Sequence, residues 1–146
     1  MIFKHIALAV LRQILLGGFK RSGKTQLSVM RVNGPDISKY GLTVPNNETG
    51  LVAGLIEKPD FKNAPSNLAS IGRYVLTPDI FDILKKQSIG VAGEIQFADS
   101  INEQAANNMV ETVLLNGKRY DCGSVKGYIE AIKDVASNYK LDKIFL

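Results

Sequence analysis

Segments of helical period alternate with short β-rich runs along this chain, and that alternation limits it to an α/β layer architecture. Residues 8–19 place Leu8, Leu11, Leu15 and Phe19 on one helical face. Residues 26–32 set Leu27, Val29, Met30 and Val32 against Gln26, Ser28 and Arg31, which predicts a strand whose alternation slips at Met30. Residues 41–45 and 51–57 are short apolar runs around Pro45-Asn46-Asn47-Glu48 and predict a hairpin. Residues 58–66 hold two prolines and read as a loop, and 68–76 form a β-rich run with Ile71, Tyr74 and Val75. Thr77 as N-cap and Pro78 at the first helical position then predict a helix to about Gln87, with Ile80, Phe81 and Leu84 as its apolar face. A loop at 88–93 leads into a helix over 94–107, whose apolar face is Ile95, Ala98, Ile101 and Ala105. A strand at 110–115, a short extended piece at 119–122 and a helix capped by Ser124 and running to about Tyr139 complete the pattern. Helical crossovers between strands make part of the sheet parallel and the whole sheet mixed.

With 146 residues the chain suffices for one domain, 1–146, around a single core. Hydrophobic residues at 45% and charged residues at 22% describe a soluble globular chain. No run reaches the roughly 18–20 apolar residues of a membrane span. The nearest approach, residues 6–18, is broken by Arg12 and Gln13, and no signal cleavage site follows it. The net charge of +4 is spread without a long basic run or a basic–aromatic ladder, which argues against nucleic acid and suits a protein that handles phosphates. Cys122 is the single cysteine and fits a reducing cytoplasm. His5 is the single histidine, which leaves little basis for a His-based metal site or a Ser-His-Asp triad.

Gly18-Phe19-Lys20-Arg21-Ser22-Gly23-Lys24-Thr25 matches the phosphate-cradling pattern G-x-x-x-x-G-K-[ST] at every position. Such a loop needs a buried strand before it and a helix opening at the Lys-Thr. Here a helical segment precedes and a β-like segment follows, so the expected structure is a polar helix-to-strand turn. A small P-loop NTPase remains the alternative that this pattern alone would support.

A second set of segments carries a resemblance. They are Leu11-Arg12-Gln13-Ile14-Leu15, Ser22-Gly23-Lys24, Asp36-Ile37-Ser38-Lys39-Tyr40-Gly41, Ile56-Glu57-Lys58-Pro59 and Ala64-Pro65-Ser66-Asn67-Leu68-Ala69. Then follow Gly72-Arg73-Tyr74-Val75-Leu76-Thr77-Pro78, Gly93-Glu94-Ile95-Gln96 and Lys118-Arg119-Tyr120-Asp121-Cys122-Gly123 with Gly127-Tyr128. In this order they resemble the C-terminal half of bacterial UTP–glucose-1-phosphate uridylyltransferases, nucleotidyltransferases acting on sugar phosphates; residues 1–10 match nothing obvious. The resemblance implies the C-terminal part of a Rossmann-like nucleotide-diphospho-sugar transferase fold, a mixed sheet with flanking helices, with the N-terminal nucleotide-binding half missing.

The resemblance also implies roles. Glu57 would hold the glucose hydroxyls, since a carboxylate accepts two hydrogen bonds from neighbouring hydroxyls. Lys58 would be catalytic, pairing with the phosphate of glucose 1-phosphate or the diphosphate of UDP-glucose. Tyr40 and Gly41 would bring backbone close to the sugar, where a missing Cβ gives room. Asp121 would be a ligand to Mg²⁺, a hard cation that takes carboxylate, phosphate and water oxygens. Glu94 would face the sugar or stabilise the first turn of its helix; the residues leave both open. Taken alone, Glu57-Lys58 also reads as an exposed pair at a strand end, and Asp121 as a cap of the turn at Gly123. One departure is Phe97-Ala98-Asp99-Ser100, where the family tends to have Leu-Thr-Asp-Ala.

The family reaction joins UTP and glucose 1-phosphate into UDP-glucose and releases diphosphate. Its glycine-rich nucleotide loop and second metal-binding Asp are absent here, which predicts a chain inactive alone. The alternative of another class is a non-catalytic partner that pairs with itself or with a full-length homologue, because a cut domain exposes a strand edge and apolar surface.

Overall fold

The computed structural model describes residues 5–87, 96–115, 117–120 and 122–138. Four helices and five strands are formed among them: α1 (His5–Ser22), β1 (Thr25–Arg31), β2 (Gly41–Pro45), β3 (Val52–Glu57), β4 (Leu68–Val75), α2 (Ile80–Lys86), α3 (Phe97–Ala106), β5 (Val110–Leu114) and α4 (Val125–Asn138). Two 3₁₀ turns, Gly34–Lys39 and Phe61–Asn63, lead into and out of the β2–β3 hairpin. The residues group into two compact units, Gln13–Leu115 on the one hand and Met1–Arg12 with Asn116–Leu146 on the other.

In the larger unit the strands lie in the order β3-β2-β4-β1-β5. β1 and β5 are parallel, and the remaining neighbours are antiparallel, so the sheet is mixed as the alternating pattern predicts. Leu27 of β1, Val52 and Leu55 of β3 and Val110 of β5 pack with Ile80, Ala98, Ile101 and Ala105 of α2 and α3 into the main core. Burying one such Leu or Ile side chain contributes about 1.5–3 kcal/mol, so this cluster holds the two helices against the sheet. A smaller cluster of Ile37, Leu42 and Ala69 joins the first 3₁₀ turn to β2 and β4, with Tyr40 packed against it. Thr43 Oγ1 donates to the Leu68 carbonyl and Ser66 Oγ to the Thr43 carbonyl, which latches the hairpin to the start of β4.

Several local expectations change once the chain is packed. Gln26 and Ser28 are polar but almost fully buried, so the alternation in β1 does not separate a core face from a wet one. Gln26 lies under α1 and Ser28 donates to the Arg73 carbonyl at 2.6 Å. The irregularity in β1 is a bulge on its partner: Leu27 pairs with Tyr74 and Val29 with Ser70, so Ser28 faces Ile71, Gly72 and Arg73 together. Gly72 takes φ +72 there, a backbone that side chains disfavour. Thr77 does not cap α2. Its hydroxyl is buried against Thr25 Oγ1 (3.2 Å) and accepts from Gln104 Nε2 (2.7 Å), while Thr25 donates to Gln104 Oε1 (2.8 Å). The helix therefore starts later, at Ile80; Ile80 and Leu84 pack on the main core as expected, Ile83 is buried as well, and Phe81 turns outward at 64% exposure.

The helix expected from Glu94 starts at Phe97, and its Ala98, Ile101 and Ala105 are buried as expected. Residues 117–120 form no strand. Ser124 does cap α4, its Oγ accepting from the Gly127 amide at 3.1 Å. The loop expected at 88–93, together with Ile95 and Tyr139, lies outside the described residues.

The phosphate-loop pattern folds as helix, turn and strand, the reverse of the strand–loop–helix that phosphate cradling requires. Each position that the pattern fixes has a local structural use. A Cβ on Gly18 would collide with the Gln26 side chain, and Gly23 takes φ +68 at the turn. Lys24 Nζ donates to the Asn108 carbonyl at 2.6 Å, and Thr25 is in the buried network with Thr77 and Gln104.

Candidate functional site

The hairpin brings four of the six sequence-predicted site residues together. β2 and β3 pair so that Gly41 stands opposite Glu57. The Lys58 amide donates to the Tyr40 carbonyl at 3.1 Å and closes the open end of the hairpin. The 3₁₀ turn before β2 ends with the Tyr40 amide donating to the Ile37 carbonyl, and Ile37 is anchored in the smaller apolar cluster. Tyr40 is thus held from both sides, by backbone and by packing.

Two backbone features make this corner unlike an ordinary strand end. The Glu57 carboxylate lies against the α-carbon of Gly41: a Cβ built there would stand 2.7 Å from Oε1 and 3.0 Å from Cδ. No other residue type leaves that space open without displacing the carboxylate. Lys58 takes φ +44, a left-handed backbone that costs about 1–3 kcal/mol in a residue with a Cβ. The position is also unfavourable because a residue before proline, here Pro59, is biased toward extended backbone. The strained turn breaks the strand alternation directly after Glu57. Both Glu57 and Lys58 are exposed, so a carboxylate acceptor and a compact cation adjoin an open corner. That pairing can take hydroxyls on one side and a phosphate on the other.

Glu94 and Asp121 lie outside the described residues. Among the described residues no three His, Cys, Asp or Glu side chains converge as a metal-ion site. Beside Asp121 in the sequence, Tyr120 is buried, and Lys118 Nζ stands 4.8 Å from its ring centre and 3.9 Å from Asp134 Oδ1. The neighbouring Tyr120, and then the charges of Asp134 and Glu130, raise the Lys118 pKa, and burial raises that of Tyr120.

Sequence reasoning missed a second residue group of this unit. Gln26 Nε2 donates to Glu111 Oε2 at 2.7 Å and Ser22 Oγ donates to the same oxygen at 2.9 Å. Gln26 and Glu111 line a cavity of about 650 Å³ together with Gly17, Arg21 and Gly50. Gln26 and Glu111 are distant in sequence, and only the parallel pairing of β1 with β5 sets them side by side. It missed Asn102 as well, whose side chain contacts β3.

The chain has clear relatives. Residues 5–138 match the family model described as nucleotidyl transferase. A UTP–glucose-1-phosphate uridylyltransferase of Pseudomonas aeruginosa is 44% identical over 110 residues, covering 73% of this chain and 39% of that protein. The Haemophilus influenzae protein of the same name is 36% identical over 134 residues, 87% of this chain and 45% of its own length. A solved UDP-glucose pyrophosphorylase complexed with UDP-glucose superposes with a TM-score of 0.77 at 38% identity, over 89% of this chain and 50% of its own. A UTP-bound UGPase from Acinetobacter baumannii gives 0.72 at 30% identity, over 86% and 44%. The chain therefore spans half or less of the length of these proteins. Its mixed sheet with flanking helices is that of their fold, and the chain belongs to the nucleotidyl transferase family.

Proposed function

We propose that this chain carries the sugar-phosphate half of a UTP–glucose-1-phosphate uridylyltransferase site. The observation that carries the reading is the Glu57 carboxylate seated on Gly41 with Lys58 turned out of the strand beside it. Glu57 accepts hydrogen bonds from glucose hydroxyls, and Gly41 and Tyr40 line the approach of the ring with backbone. Lys58 pairs with the sugar phosphate. In the complete reaction a phosphate oxygen of glucose 1-phosphate forms a bond to the α-phosphorus of UTP, and the bond to the β-phosphate breaks with loss of diphosphate. The contribution of this half is to orient the nucleophile and offset its charge.

Mg²⁺, if bound, would neutralise phosphate charge, and Asp121 would offer it one hard oxygen ligand. Glu94 is assigned to the sugar side of the same site. No described helix is long and apolar enough to cross a membrane. A cytoplasmic setting is supported by the lone Cys122 and by the nucleotide and sugar-phosphate chemistry of the reading.

Titration calorimetry of the chain with glucose 1-phosphate and UDP-glucose tests the assignment. Saturable binding of both is expected, weakened at least tenfold by Lys58→Ala or Glu57→Ala. Binding unchanged in both variants would sink it. The chain by itself is expected to release no diphosphate from UTP and glucose 1-phosphate.

A second reading is favoured by α4, where Val125, Tyr128, Ile129 and Ile132 are each 45–79% exposed at a spacing that makes one continuous apolar face. In that reading the chain pairs with itself or with a full-length homologue, and binding rather than catalysis is its role.

A further inference from the structure

β3 ends the sheet: β2 pairs with one of its edges and no described strand with the other. An outer strand leaves half of its backbone groups without a partner in the sheet, and it frays there unless something covers the edge. Asn102, on α3, covers it. Its Oδ1 accepts from the Leu55 amide at 2.6 Å, and its Nδ2 donates to the Leu55 carbonyl at 3.2 Å. One carboxamide thus makes the pair of hydrogen bonds that a neighbouring strand residue would make. Only one orientation of the amide works, because the reverse would set donor against donor. The approach is close: a Cβ on Gly54 would stand 3.1 Å from Asn102 Oδ1. Leu55 also opposes Thr43 and is buried in the main core, so the clamp and the packing act on the same residue.

Glu57 is two positions further along the same strand, and its backbone groups point to the same open edge. The strand ends there in the strained turn at Lys58. Nothing between Leu55 and that turn ties the outer edge of β3 down except this carboxamide, among the hydrogen bonds of the described residues. We propose that Asn102 is a positioning residue for the sugar contact: its carboxamide holds β3 in place so that the Glu57 carboxylate stays over Gly41. The inference rests on the reading of Glu57 as the group that holds sugar hydroxyls.

The test is carried out on the full chain with two ligands, glucose 1-phosphate and inorganic phosphate, and with amide hydrogen exchange followed by NMR. The ratio of the two affinities reports the sugar contact and is insensitive to a general loss of stability. Asn102→Ala is expected to release the Leu55 amide to rapid exchange and to lower that ratio about tenfold. Asn102→Asp keeps the acceptor for the Leu55 amide but loses the donor, and a loss of about threefold is expected. Ile83→Val destabilises the core from α2, away from the hairpin end, and should leave the ratio unchanged. A ratio unmoved in Asn102→Ala despite rapid Leu55 exchange would overturn the positioning role while leaving the sugar reading standing. A ratio near one in the unsubstituted chain would overturn the sugar reading, and the positioning role with it.

Discussion

At Gly41 the missing side chain leaves room for the Glu57 carboxylate, since an added Cβ would stand 2.7 Å from Oε1. Gly41→Ala should therefore displace the carboxylate and weaken glucose 1-phosphate binding about tenfold, with little change in melting temperature because the hairpin pairing is backbone. Calorimetry and a thermal melt separate the two effects. Lys58 gives the converse case. Its φ of +44 is uncomfortable for lysine and easy for glycine. Lys58→Gly should raise stability by about 0.5–1 kcal/mol in urea unfolding while abolishing the charge that pairs with phosphate. A residue whose removal stabilises the fold and weakens ligand binding is retained for the ligand. Glu57 and Lys58 were legible as a pair in the sequence. Their use of Gly41 and of a left-handed turn was not, because both depend on the register of two strands.

Among the elements, the join between β1, α2 and α3 rests on a buried polar triangle of Thr25, Thr77 and Gln104. Removing one corner leaves buried groups unpaired. Gln104→Ala should lower the unfolding free energy by about 2–3 kcal/mol, read by urea denaturation. Gln104 also donates to Asp79 Oδ2 at 3.1 Å. Hydrogen bonding from Thr77 first, and from Gln104, lowers the Asp79 pKa below its ordinary value. The folded state therefore favours the carboxylate, and the contribution is complete above the ordinary pKa of about 4 and is lost as pH falls through the depressed value. Stability should decline below about pH 4, and Asp79→Asn should flatten that decline in melts taken between about pH 2 and 6. The sequence signalled a helix start at Thr77-Pro78, but the hydroxyl that would have capped it is drawn into the interior by Thr25 and Gln104. The contest was between a local cap and a long-range network, and only packing decides it.

For the molecule as a whole, the question is what meets the apolar face of α4. Val125 is 79% exposed and Ile132 48%, far more than a helix of this pattern leaves open when its face is covered. If the chain pairs with a copy of itself through this face, light scattering should give twice the mass of the chain at micromolar concentration. Ile129→Lys with Ile132→Lys should return it to a monomer without changing Leu55 exchange in the other unit. A monomer at all concentrations would remove the second reading and leave the sugar-phosphate half-site alone.

The alternation of periods was enough to read the α/β class, the mixed sheet and nearly every strand, because burial imposes those periods on any chain that forms layers. The ordered motifs were enough to name the family. They did not say which polar residues lie inside. Gln26, Ser28 and Gln104 look like surface positions in the sequence and are buried because partners up to 85 residues away satisfy them. They did not show that Phe81 faces out and Ile83 in, since the helix starts two residues later, at Ile80, and packing decides which of its apolar residues turn inward. The Glu57 corner stands between these cases: its residue types are local, but its geometry belongs to β2, β3 and α3 together. A side chain can be chosen one position at a time, whereas the space it occupies is set by every element that packs around it.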